Sequence, residues 1–185
     1  MTENFEVHNI DTAPEPSKLL LEAVKSKFGM VPNLFGVMAN SPNLLKAYLS
    51  VAEIFSQGSF DATEQQIVLI TASASNGCTY CVAAHSAIAD MSGVKTEITN
   101  ALRAGTKIAD AKLEALRFLT QEIVETRGWP SEKAKADFFA SGYAQEAFLE
   151  VVLGVALKTA SNYMNHTTNT PLEAAFAKRA WAKPA

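Results

Sequence analysis

The chain has 185 residues, of which 48 % are apolar and 19 % charged, and a formal net charge of -3. That is enough for one domain over residues 1–185 with a substantial core, and it excludes a disordered chain or a strongly basic binder of nucleic acid or anionic membrane. No apolar run reaches the roughly 18 to 20 residues that cross a bilayer, and the polar, acidic start is unlike a signal peptide, so a cytoplasmic protein is expected.

Residues 1–16 contain Pro14 and Pro16 and no sustained period. They read as an N-terminal arm whose Phe5, Val7 and Ile10 pack onto the body or onto another subunit. A first helix is predicted from Ser17 to Phe28, with Leu20, Val24 and Phe28 on one stripe and Gly29 ending it. Val31-Pro32-Asn33-Leu34-Phe35 is a turn into a short apolar helix. Pro42 opens another, which Gly58 stops.

Asp61-Ala62-Thr63-Glu64 has the spacing of a capping box, in which Glu64 returns a bond to the backbone of the cap. Ile67 to Ala74 is apolar nearly all round, as in a helix buried on several sides. Ile67-Val68-Leu69-Ile70-Thr71 also has strand character, but no partner strand of comparable signal exists, so helix is preferred. Further on, Gly93 and Gly105 end helices, Asp110 opens a long one that breaks at Gly128-Trp129-Pro130, and Ser131-Glu132 opens the next. Tyr143 to about His166 is a long helix with Phe148, Val151, Val152, Val155 and Ala156 inward. Thr170-Pro171-Leu172-Glu173 is expected to cap a last helix through Trp181. The predicted fold is all-α.

Asn76-Gly77-Cys78-Thr79-Tyr80-Cys81-Val82-Ala83-Ala84-His85 holds both cysteines and one of three histidines. A helix opening at Cys78 after Gly77 puts the two thiols about 60° apart around the axis and about 4.5 Å along it, within reach of mutual oxidation. His85 follows Cys81 by one turn. Cys81 and His85 are expected to face inward and Cys78 to lie nearer solvent. A helix N-terminus, the Cys-x-x-Cys spacing and an imidazole all favour the reactive thiolate. A secreted disulfide framework would need more pairs. Structural zinc needs four ligands, so His8, His166 or a remote carboxylate would have to complete the three in this motif.

Glu64-Gln65-Gln66-Ile67-Val68-Leu69 followed by the Cys78–His85 stretch resembles the core of the alkylhydroperoxidase D (AhpD)-like proteins, within the carboxymuconolactone decarboxylase superfamily. Val31-Pro32-Asn33-Leu34, Ser161-Asn162-Tyr163 to His166, and Thr170-Pro171-Leu172-Glu173 extend the likeness to the longer peroxidase-related branch. The resemblance implies an all-α helical bundle assembled into trimers or hexamers, and a peroxidase without metal or other cofactor. It implies that His85 activates Cys81 to attack a hydroperoxide, that Cys78 resolves the product to a disulfide, and that a dithiol or protein-thiol reductant reopens it. AhpD carries a glutamate of its proton relay where this chain has Gln66, an amide that can orient His85 but cannot take its proton. Glu64, two residues earlier, lies roughly 200° around the helix. The competing readings are a non-enzymatic redox-sensing or scaffold protein, a disulfide reductase without peroxidase activity, and a zinc module.

Overall fold

Four side chains foreseen or suited as helix caps set the frame. Ser41, Asp61, Asp110 and Ser131 each accept a hydrogen bond from the backbone N–H three residues on, satisfying donors that a helix start leaves open. The computed structural model describes residues 5–184. The helices are α1 Glu15–Phe28, α2 Asn33–Met38, α3 Pro42–Ser56, α4 Ala62–Ser75, α5 Thr79–Met91, α6 Thr96–Ala104, α7 Ala111–Glu125, α8 Glu132–Ala140 and α9 Gln145–Thr168, followed by a 3-10 turn, Ala174–Arg179. Among the described residues there is no strand, so the fold is all-α as predicted. The stretch from Ile67 to Thr71 is helical.

Helix α4 is the central element, packed by α5, α6, α7 and α9. Ile67, Val68 and Ile70 are fully buried, each contributing about 1.5 to 3 kcal/mol relative to an exposed side chain. Helix α9 crosses α4 and α3 so closely that a Cβ on Gly154 would lie 2.6 Å from Val68 Cγ1 and 2.8 Å from Phe55 Cε2. Only glycine permits that approach.

The inward face of α9 differs from the predicted one. Val151 and Leu157 are buried, but Val152 is 44 % exposed and Ala156 is also exposed. The buried face continues instead through Lys158, Ser161, Asn162 and Asn165. An apolar stripe is the usual guide to burial, and here the lower half of the helix turns polar residues inward.

The N-terminal arm, whose first four residues lie outside those described, is tied to the α2 region by His8 N–H donating to Gly36 O (3.2 Å) and by Asn40 Nδ2 donating to Glu6 O (2.8 Å). Its helix begins at Glu15. Ile10 packs on the core, while Phe5 and Val7 are exposed.

The C-terminal segment corrects a further expectation. Glu173 does not cap a long α-helix; the segment makes only the 3-10 turn, and the Glu173 carboxylate accepts from the Asn33 N–H and from the Tyr80 hydroxyl (2.6 Å). Beyond it, Trp181 Nε1 donates to Arg103 O (2.8 Å), and the Arg103 guanidinium donates to the carbonyls of Arg179 and Ala180. This strap lies across α5, with Phe176 edge-on to Tyr80. No helix among the described residues is long and apolar enough to cross a membrane.

Candidate active site

The turn between α4 and α5 positions the cysteines. Gly77 takes φ 72°, a left-handed conformation that glycine adopts without strain, and Cys78 is extended and stands as the N-cap of α5, one residue outside the helix predicted to include it. Its N–H donates to Ser73 O (2.9 Å), and its carbonyl accepts from Val82 N–H (3.0 Å). Cys81 therefore sits in the first turn, where the unpaired N–H groups of a helix favour negative charge.

Both thiols are free, and each is only 1 % exposed. Cys78 was expected nearer solvent. Two elements far along the chain close over the turn. Asn165 of α9 donates from Nδ2 to Cys81 Sγ (3.3 Å) and Cys78 Sγ (3.8 Å), and the strap passes so near that a Cβ on Gly77 would lie 3.7 Å from Lys183 Cδ.

The two sulfurs are chemically unequal. The contact between the two thiols, together with burial, pushes Cys78 far above the usual thiol value. The same contact lowers Cys81 below it; burial opposes this, while the Lys158 ammonium, Ser161 and Asn162 assist. Ser161 Oγ lies 3.8 Å from Cys81 Sγ. Cys81 is thus the thiol favoured as thiolate: Asn165 donates to it at 3.3 Å against 3.8 Å for Cys78, and it lies in the first turn of α5.

Lys158, 1 % exposed, lies beside this pair with Nζ 2.9 Å from His85 Nε2. An ammonium has only donors, so Nε2 accepts, the ring proton is on Nδ1, and Nδ1 donates to Gln66 Oε1 at 3.1 Å. Burial and the Lys158 charge hold His85 well below the usual imidazole value, hence neutral. Both ring nitrogens are occupied, so His85 grips Lys158 where the sequence suggested that it grips the sulfur. Burial opposes the Lys158 charge, but Cys81, Tyr48 and Cys78 outweigh it and raise its pKa above the usual value.

Gln66 thus bonds His85, whereas Glu64 bonds away from it. The Glu64 carboxylate accepts from the Asp61 N–H (3.1 Å) and the Tyr143 hydroxyl (2.9 Å) and pairs with Lys112 Nζ (3.0 Å). Two residues along α4 is half a turn, and that rotation sends it to the α7 side. Replacing Glu64 by alanine should cost about 1 to 3 kcal/mol, the range for a lost cap and buried charged hydrogen bonds. Denaturant unfolding measures it, and the alkylation rate of Cys81 should not change; a slowed alkylation would return Glu64 to the site. His166 is exposed beside Tyr163, and His8 bonds Thr12 and Asn40. Among the described residues no group of three or more His, Cys, Asp or Glu side chains is placed to hold a metal ion.

Sequence reasoning missed Lys158, Ser161, Asn162 and Asn165 as site residues. Their signal was polar residues recurring at positions i, i+3, i+4 and i+7 within an otherwise apolar helix, a face that only buried partners can satisfy.

A family model described as "Carboxymuconolactone decarboxylase family" matches residues 42–122, which contain Gln66, Cys78, Cys81 and His85. No curated protein matches the sequence. Among solved structures, the fold is similar to an uncharacterized peroxidase-related protein with an alkylhydroperoxidase AhpD core from Ralstonia eutropha JMP134, at a TM-score of 0.83 with 20 % identity over 95 % of each chain. A peroxidase-related protein from Silicibacter sp. TM1040 matches at a TM-score of 0.79 with 16 % identity over 94 % of this chain and 95 % of its own. The debrominase Bmp8 matches at 0.79 with 18 % identity over 95 % of each. The chain has the fold of these AhpD-core proteins, and its residues 42–122 match the carboxymuconolactone decarboxylase family model.

Proposed function

We propose that this protein is a thiol-dependent peroxidase that reduces hydroperoxides through a Cys78/Cys81 dithiol–disulfide cycle. The observation that carries the reading is the pair of buried thiols at the start of α5, unequally held, with Asn165 Nδ2 donating at 3.3 Å to Cys81 and at 3.8 Å to Cys78. The Cys81 thiolate attacks the terminal oxygen of the hydroperoxide; the S–O bond forms as the O–O bond breaks, leaving a sulfenic acid and an alkoxide that is protonated to the alcohol. The Cys78 sulfur then attacks the Cys81 sulfur and expels the hydroxyl, which takes the Cys78 proton and leaves as water. A dithiol or protein-thiol reductant supplies two electrons and two protons to restore the pair. Assembly into a homo-oligomer is part of this reading, supported by the exposed apolar side chains Leu149, Val152 and Tyr163 on the outer face of α9.

Titration of the reduced protein with hydrogen peroxide and with an organic hydroperoxide tests the reading, with free thiols and intact mass followed at each addition. The expected result is loss of both thiols, a mass lower by two hydrogens and recovery with a dithiol. Thiols that stay unreactive at neutral pH would overturn it. The likeness to the debrominase supports a second reading, in which the pair gives its two electrons to a halogenated substrate. Thiols that resist peroxide but are oxidised as halide is released would favour it.

A further inference from the structure

The geometry points to Lys158 as the proton carrier of the cysteine cycle: it pairs with the Cys81 thiolate, protonates the departing alkoxide, and regains its proton when Cys81 is next reduced. This rests on the peroxidase reading.

An ammonium that is 1 % exposed costs several kcal/mol unless an anion faces it. Among the described residues Lys158 forms no ion pair with a carboxylate. Its directly bonded partner is the neutral His85 ring. The titratable groups that act on it are Cys78 at the α5 cap, Cys81 and His85 of α5, and Tyr48 of α3, while α4 presents the uncharged Gln66. Of these, Cys81 is the one that Asn165 Nδ2 approaches most closely, at 3.3 Å, and it stands in the first turn of α5. It is therefore the anion that answers the lysine.

Gln66 fixes why the proton is spent inside the site. Its amide holds the Nδ1 proton of His85 in place and has no means of accepting it. A relay running from Lys158 through His85 toward solvent thus stops at Gln66, and the nearest base that appears during the reaction is the alkoxide released at Cys81. The balance closes. Cys81 thiolate, hydroperoxide and Lys158 ammonium give Cys81 sulfenic acid, alcohol and Lys158 amine; after disulfide formation and reduction, the regenerated Cys81 thiol returns a proton to the amine. His85 is a positioning residue that holds the Nζ.

Lys158→Met, Lys158→Gln and Lys158→Arg separate charge from proton delivery. Iodoacetamide alkylation of the Cys78→Ser background reads the thiolate, and stopped-flow oxidation of the reduced chain by hydrogen peroxide reads the chemistry; circular dichroism verifies folding. Read at a pH below the midpoint of Cys81, Met and Gln should slow alkylation by about tenfold or more, one pKa unit, and oxidation by about 100-fold or more, the scale of a lost general acid. Arg should keep alkylation within a few-fold, because it keeps the charge, yet oxidation should still fall by about 100-fold, because a guanidinium does not release its proton. Arg restoring both rates would overturn proton delivery, and Met leaving both at the native level would overturn the pairing as well. If native thiols prove inert to peroxide while Met still slows alkylation, the peroxidase reading falls and takes proton delivery with it, leaving only the ion pair.

Discussion

Cys81→Ser is expected to reduce catalytic peroxide consumption to the level of buffer, whereas Cys78→Ser is expected to consume one equivalent per chain and stop. A serine hydroxyl is not ionised by the donors that hold the Cys81 thiolate, and it cannot pass through a sulfenic acid, so the first variant has no nucleophile. The second retains the nucleophile together with Lys158 and Asn165, but the hydroxyl that replaces the Cys78 thiol cannot expel hydroxide from the sulfenic acid by forming a disulfide. The trapped species at Cys81 should be captured by dimedone and read as an intact-mass adduct. Near-isosteric replacement leaves the packing in place, which thermal unfolding checks. Full turnover in either variant would remove the cycle.

Gly154→Ala should impair stability and chemistry together. On an unconstrained helix this substitution stabilises by about 1 kcal/mol through propensity. Here the new methyl lies 2.6 Å from Val68 and 2.8 Å from Phe55, which are 0 % and 3 % exposed. Overpacking of this kind costs about 1 to 3 kcal/mol, so the clash outweighs the propensity gain. Helix α9 must yield, and Lys158 is one turn further along it. A displacement of the order of 1 Å at a reacting group can cost about 100-fold in rate. Denaturant unfolding combined with single-turnover oxidation reads both effects. A variant as stable and as fast as the native chain would show that the close crossing of α9 does not set the position of Lys158.

The helical architecture was legible because it rests on local chemistry. Asp61 with Glu64, Asp110 and Ser131 announce helix starts, and Gly29 and Gly105 announce ends. Cys78, Cys81 and His85 were legible because their spacing is short and falls within one turn and helix. What escaped was decided by long-range packing. The burial of Cys78 depends on Asn165 and on a strap about 100 residues later, and no local pattern reports that. Lys158 gives no signal of its own because a lysine in a helix is ordinarily solvated, while Val152 and Ala156 read as inward because apolar residues usually are. His166 and Asn165 are neighbours in sequence, but about 100° of helical rotation sends one to solvent and the other to the sulfurs. The separation of Gln66 from Glu64 was readable from the same rotation; which of the two faced His85 was not, until α5 was in place.

The strap has a consequence for time as well as for space. Glu173 clamps Tyr80, which stands between the two cysteines in the chain, to the start of α2, and its second carboxylate oxygen is buried without a hydrogen-bond partner. On the peroxidase reading, a protein reductant that has to reach the buried Cys78 would require the segment from Glu173 to Trp181 to lift, whereas a peroxide of a few atoms would not. Oxidation and recycling would then run on different clocks, the second set by how firmly the chain's own C-terminal segment is fastened.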